Sequence, residues 1–146
     1  MVHPESTAPH AVTKVVTVEL MGAHDETTLQ AELQYTSRDP YAASIRFLTG
    51  QTEVVWTFGR DLLVDGLCEP TGLGDVHLRP YLDPRGHAVV IIELHSPAGG
   101  VLVQAPLRDL EEFVDQMTTL VRPGAESQHI DIDATVAAIL AANPIK

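Results

Sequence analysis

The sequence predicts an α+β fold, and three observations carry that prediction. Apolar and polar residues alternate over seven or eight short stretches, the two-residue period of strands with one wet face. That period gives way to helical spacing after Gly59, again after Pro106, and for a short span near the C-terminus. Turn residues separate the alternating stretches closely enough for antiparallel hairpins.

In AVTKVVTVEL, Val16, Val18 and Leu20 share one face, while Thr17 and Glu19 share the other. TLQAELQYT repeats the pattern, with Leu29, Ala31, Leu33 and Tyr35 opposed to Gln30, Glu32 and Gln34. GAHDE supplies the turn between them, so the pair reads as a hairpin. A polar turn around Asp39-Pro40 leads to SIRFLT as a third strand, and the Gly50-Gln51 break leads to EVVWTF as a fourth. The stretch VVWTFGRDLLVDGL, Val54 to Leu67, holds the chain's only tryptophan and an Arg60-Asp61 pair. Its first half puts Val54, Trp56 and Phe58 on one face and reads as a buried strand. Its second half, with Leu63 and Leu67 four apart, reads as a helix of about two turns. Asp61 then sits in the first turn, where an acid suits the helix dipole, and Gly66 near the end. Arg60 is placed to cover the tryptophan or to pair with a nearby acid.

The pattern restarts with EPTGLGD as a Pro/Gly turn, DVHLRPY as a strand, LDPRG as a turn and HAVVIIELHS as a long strand. PAGG reverses the chain and VLVQAP pairs back. Pro106 opens a helix whose apolar positions Leu107, Leu110, Phe113/Val114, Met117 and Leu120/Val121 recur at helical spacing, and Arg122-Pro123-Gly124 stops it. A linker, AESQHI, leads to a last short helix from about Asp133 to Ala142, ended by Asn143-Pro144. The organisation is thus a flexible N-terminus over 1–10, one domain over 11–124, and a linker with a short C-terminal helix over 125–146. A chain of 146 residues is about one domain by length. It buries roughly two-thirds of its unfolded surface, enough for a core without staples.

Charge restricts the function classes. Twenty acids face nine bases, a formal net charge of -11, and no two bases lie closer than six positions. Phosphate binding favours clustered cations, and an acidic background opposes a polyanion. The single cysteine, Cys68, rules out an internal disulfide framework and reads as a half-buried apolar thiol. MVHPESTAPH has neither a basic start nor an apolar run, and Val89 to Ile92 is far too short to span a bilayer, so a cytoplasmic protein is expected.

No constellation for chemistry assembles. The histidines at 3, 10, 24, 77, 87, 95 and 129 form no ligand spacing and read as scattered surface or strand-end residues. His129, Asp131 and Asp133 alternate in HIDID and would share a cation if extended, but acids before a helix serve more often as caps. There is no G-x-S-x-G elbow, and Gly72-x-Gly74 precedes a strand, so no helix N-terminus awaits a phosphate. No catalytic residue, cofactor or metal is assigned, and the partner-binding surface is left open.

SRDPYA, WTFGRDLLVDGL, GLGDVHLRP and LEEFVDQMTTLVRPGAE, in this order, resemble the SsgA-like proteins of actinobacteria, over about Val12 to Glu126. Trp56-x-Phe58, Arg60-Asp61-Leu62-Leu63 and Gly66-Leu67 are the most specific part. Gly59, where alanine is expected, and Arg38, where a smaller polar residue is expected, depart from the pattern. Within the family, the sequence looks most like the members associated with placing septa during sporulation. The resemblance implies a Whirly-like fold of two antiparallel sheets with helices, assembling as a trimer. It also implies a non-enzymatic factor at the division septum that recruits FtsZ and promotes its polymerisation, guided by an SsgA-type family member. A septal membrane protein is expected as an indirect anchor. The alternative is single-stranded nucleic-acid binding of the Whirly type, which needs arginines from distant strands to converge with exposed aromatics. An enzymatic or small-molecule cavity is the third class.

Overall fold

The computed structural model describes residues 10–21, 27–50, 52–130 and 132–142. The GAHDE turn, Gln51, most of the N-terminal stretch, Asp131 and Asn143-Pro144 lie outside them. The elements in order are β1 Ala11–Met21, β2 Thr27–Thr36, β3 Ala42–Leu48, β4 Glu53–Gly59, α1 Arg60–Gly66, β5 Thr71–Leu73, β6 Val76–Leu82, β7 Ala88–Ser96, β8 Gly99–Pro106, α2 Leu107–Leu120, a 3-10 turn Glu126–His129, and α3 Ile132–Ala142.

Alternation decides which face of each strand is dry. Val16 and Val18, then Ala31, Leu33 and Tyr35, then Ala43, Ile45 and Phe47 all point into one core. In β7 the aliphatic run Val89–Ile92 is buried on consecutive residues, so both faces of that strand are covered. Helix α2 lays Leu110, Phe113 and Met117 against β1, β7 and β8. Lys14 of β1 ties the helix down by donating to Glu112 at 2.8 Å.

Two antiparallel sheets were implied by the resemblance. The eight strands instead form one hydrogen-bonded order, β4-β3-β2-β1-β8-β7-β6-β5, built from two four-stranded meanders. The cause is the length of β1. It pairs with β2 from Ala11 to Leu20, and its last three residues, Glu19, Leu20 and Met21, also pair with Gln104, Val103 and Leu102 of β8. Helix α1 packs on β3 and β4 at one end of this order and on β5 and β6 at the other, so the sheet curls beneath it. Gly66 permits the approach, because a Cβ there would lie 2.5 Å from the Leu78 Cβ of β6.

Four further expectations are revised. EPTGLGD is more than a turn, since Thr71–Leu73 forms β5 and turns back through Gly74 at φ +64° to pair with β6. So short a strand has no room for a readable alternation. It covers only Val76 to Leu78, which leaves Pro80, with no N–H to donate, on the uncovered side of β6. The AESQHI linker contains the 3-10 turn, and Cys68 is exposed in the turn after α1. Finally, β4 is an edge strand. Phe58 is buried, but Trp56 is half-buried and Val54 and Val55 are 42% and 53% exposed.

Candidate functional site

Arg60 begins α1, where Gly59 turns from extended backbone into the helix and the Arg60 N–H donates to the Tyr41 carbonyl at 2.8 Å. Its side chain is 2% exposed. Each nitrogen of the guanidinium has its own partner. Nη1 donates to the Tyr35 hydroxyl at 2.7 Å, Nη2 donates to the Val121 carbonyl at 2.6 Å, and Nε lies 3.5 Å from Glu126 Oε2. The guanidinium carbon stands 5.4 Å from the centre of the Tyr35 ring, within cation–π range. The Tyr35 hydroxyl in turn donates a hydrogen bond to the Pro40 carbonyl at 2.9 Å. Glu126 accepts the Gly124 N–H at 2.9 Å, where the chain turns at φ +88°.

This arrangement answers what the Arg60-Asp61 pair does. Arg60 pairs with an acid distant in sequence and joins β2, α1, the end of α2 and the 3-10 turn through one planar fork. Asp61 stays exposed in the first helical turn. Burial pushes the Tyr35 phenol above its ordinary value, and the Arg60 hydrogen bond offsets part of that rise. A charge so enclosed by its own chain locks the architecture. It has no face left for a ligand.

The outward surfaces hold what sequence reasoning missed. His77 of β6 and His95 of β7 meet edge to face with ring centres 6.0 Å apart, although the sequence reads them as scattered. The register explains it: His77 lies opposite Glu93, which places His95 diagonally across. His95 Nε2 and Glu93 Oε2 are 2.6 Å apart, and Arg79 donates to the same carboxylate at 3.2 Å. Hydrogen bonding to His95, helped by Arg79, holds the Glu93 carboxyl below its usual range. Among the described residues, no group of three or more His, Cys, Asp or Glu is placed to hold a metal ion.

Two of the surface openings expose mainly carbon. A groove of about 920 Å³ runs between the start of β1 and the second half of α2, where Ala11, Val12 and Leu120 meet a polar lining that includes Asp115, Gln116 and His129. A smaller cleft of about 140 Å³ at the open end of the sheet is bordered by Trp56, Phe47, Leu29, Val54, Val101 and Val103. Neither signal is strong in one dimension, because each wall draws on strands far apart in sequence. No helix among the described residues is long and apolar enough to cross a membrane.

Residues 29–126 match the family described as Streptomyces sporulation and cell division protein, SsgA. The sporulation-specific cell division protein SsgB of Streptomyces coelicolor is 46% identical over 112 residues, covering 76% of this chain and 81% of that one. SsgB of Saccharopolyspora erythraea is 42% identical over 113 residues, covering 77% and 79%. The crystal structure of an SsgA-like sporulation-specific cell division protein from Thermobifida fusca superposes with a TM-score of 0.80 at 36% identity, covering 92% of this chain and 99% of that one. A structure described with SsgB mutations that correlate to longitudinal cell division during sporulation of Streptomyces coelicolor gives 0.77 at 39% identity, covering 85% and 98%. The family match and these likenesses agree: the chain belongs to the SsgA family of sporulation and cell-division proteins and is similar, within it, to the members called SsgB.

Proposed function

We propose that this chain is a non-enzymatic, SsgB-like division factor that localises at septum sites and recruits FtsZ, promoting its polymerisation during sporulation-specific division. In this reading it works with an SsgA-type family member, and as a homotrimer of the Whirly type held to the septum through a membrane protein. The observation that carries the reading is the 46% identity to SsgB of Streptomyces coelicolor across most of both chains. The physics of the site supports it. The family's signature arginine is spent on holding the body rigid, and a rigid acidic body is suited to presenting fixed surfaces to other proteins. Its net charge of -11 and separated bases oppose nucleic acid.

Co-sedimentation with FtsZ polymers in the presence of GTP tests the proposal. Enrichment of the chain in the pellet, with more FtsZ pelleted than without it, is the expected result. No enrichment at any salt concentration would remove the FtsZ role. A salt-dependent anisotropy rise with oligothymidine would transfer the assignment to single-stranded nucleic acid.

A further inference from the structure

The two edges of the sheet are guarded unequally. At one, β5 is three residues long, and the stretch of β6 beyond it carries Arg79 and Pro80, all features that discourage an edge from pairing. At the other, β4 has seven residues with no proline and no lysine, and among the described residues it pairs with β3 alone. The ladder shows which way its free groups point. One step beyond the Ala42–Gly59 pair, the Arg60 N–H donates to the Tyr41 carbonyl, whereas the Ala42 N–H donates to Asp39. Bonded residues alternate along an antiparallel pair, so Phe58, Trp56 and Val54 bond to β3. The N–H and C=O groups of Thr57 and Val55 point off the sheet.

The surroundings of this edge define what fits it. On its core side, Val54 and Trp56 border the cleft of about 140 Å³, and Leu73 of β5 is 76% exposed. The chain from β4 through α1 to β5 supplies both edges and the helix between them. It presents Glu53, Asp61, Asp65, Glu69 and Asp75 to solvent, while its one base, Arg60, is buried. An incoming strand thus meets apolar surface on one face and negative charge at its flanks. A second copy would bring the same acids. Outside the sheet this chain holds no matching segment: residues 1–9 contain Pro4, Pro9 and Glu5 without lysine or arginine, and 130–145 contain two acids and no base. We propose that the open edge of β4 receives an extended segment of another protein, apolar at every second residue and net basic, which adds as a further strand. The proposal goes beyond the FtsZ reading and is tested without FtsZ, so either can fail alone.

The probe is a fluorescein-labelled peptide, KVKVTVKVK, added to the full chain and followed by anisotropy. Saturable binding is expected, weaker by about ten-fold or more for EVEVTVEVE; equal binding of the two overturns the proposal. Two N-methylated forms of the basic peptide separate edge pairing from charge and apolar contact. One is methylated at every valine, the other at every lysine and threonine. A strand turns alternate amides to opposite edges, so only one of the two is expected to lose binding. Equal binding by both forms, whether kept or lost, overturns the proposal. Amide exchange supplies the local readout. The basic peptide is expected to slow exchange at Val55 and Thr57, while Val54 and Trp56 are protected already in the free chain. No slowing at Val55 and Thr57 overturns the proposal. Protection of those two amides that grows with the concentration of the free chain assigns the edge to a second copy, and overturns it equally.

Discussion

Arg60 Nη2 and the Val121 carbonyl meet at 2.6 Å across 61 residues of chain, joining the start of α1 to the end of α2. The carbonyl belongs to the residue that caps α2, so the arginine satisfies a helix end that would otherwise be buried without a donor. The same guanidinium serves Tyr35 and Glu126, so its removal strands three acceptors at once. Arg60→Met is expected to destabilise the fold by about 3 kcal/mol or more in urea denaturation. Arg60→Lys retains the charge but not the fork and is expected to lose much of the same stability. Glu126→Gln is expected to cost less, about 1 kcal/mol, because its contact with Nε is long at 3.5 Å. A change of under 1 kcal/mol for Arg60→Met would show that the clamp is not what holds α1 to α2.

The two glycines that flank α1 predict opposite outcomes. Gly59 has φ -66° and ψ 141°, a conformation open to any residue, and a Cβ there meets nothing within 4 Å. Gly59→Ala, the residue the family resemblance leads one to expect, is predicted to change stability by no more than about 0.5 kcal/mol, since reduced unfolded-state entropy offsets a poorer N-cap. Gly66→Ala drives a methyl to 2.5 Å from the Leu78 Cβ and is predicted to cost about 1–3 kcal/mol. Thermal melts of the two variants side by side decide it, and equal shifts would refute the close approach of α1 to β6.

Tyr35 gives the fold an alkaline limit. Its folded-state pKa is raised by burial, so the native state holds this proton more tightly than the unfolded chain does. Its contribution is therefore complete below the unfolded value of about 10 and is lost as pH climbs through the folded one. Ionisation also removes the donor to the Pro40 carbonyl. The difference in phenolate absorbance between the wild type and Tyr35→Phe is expected to place the ionisation of this tyrosine above its ordinary value. Tyr35→Phe is expected to be less stable at neutral pH but to lose less of its remaining stability above pH 10.

The sequence made some of this visible because local pattern and final environment coincide. Alternation in β1 to β3 marks Val16, Val18, Ala31, Leu33, Ile45 and their neighbours as core, since each of those strands has one dry face. The spacing of Leu110, Phe113 and Met117 likewise fixes the buried stripe of α2. Trp56 misleads because an aromatic in an alternating strand looks interior wherever the strand lies in the sheet, and strand order is not a local property. The Arg60–Glu126 contact and the His77–His95 contact were illegible for the same reason: they depend on register and chain return over distances that periodicity does not encode. Arg60 still carried one usable signal. It begins a helix directly after a strand inside a family motif, the place where a buried cation joins two elements.

Three carboxylates set the acid limit. Backbone N–H groups of His87 and Arg85 converge on Asp83 at 2.8 and 2.9 Å and hold its carboxyl below the usual range. Hydrogen bonds from His95 and Arg79 do so for Glu93, and the Lys14 hydrogen bond and charge do so for Glu112. In each case the folded chain binds its proton less tightly than the unfolded chain. The unfolded state then carries more protons near pH 4, and stability rises with pH through that range. The contribution is fully present above about pH 5 and falls as pH drops through the depressed values. Salt is expected to weaken Glu93 and Glu112, held by charged side-chain partners, more than Asp83, whose principal donors are backbone amides. Urea midpoints measured from pH 7 down to pH 3 are expected to decline most steeply below pH 4.5. Asp83→Asn and Glu93→Gln are expected to flatten that decline, and midpoints that stay level to pH 3 would contradict the assigned bonds.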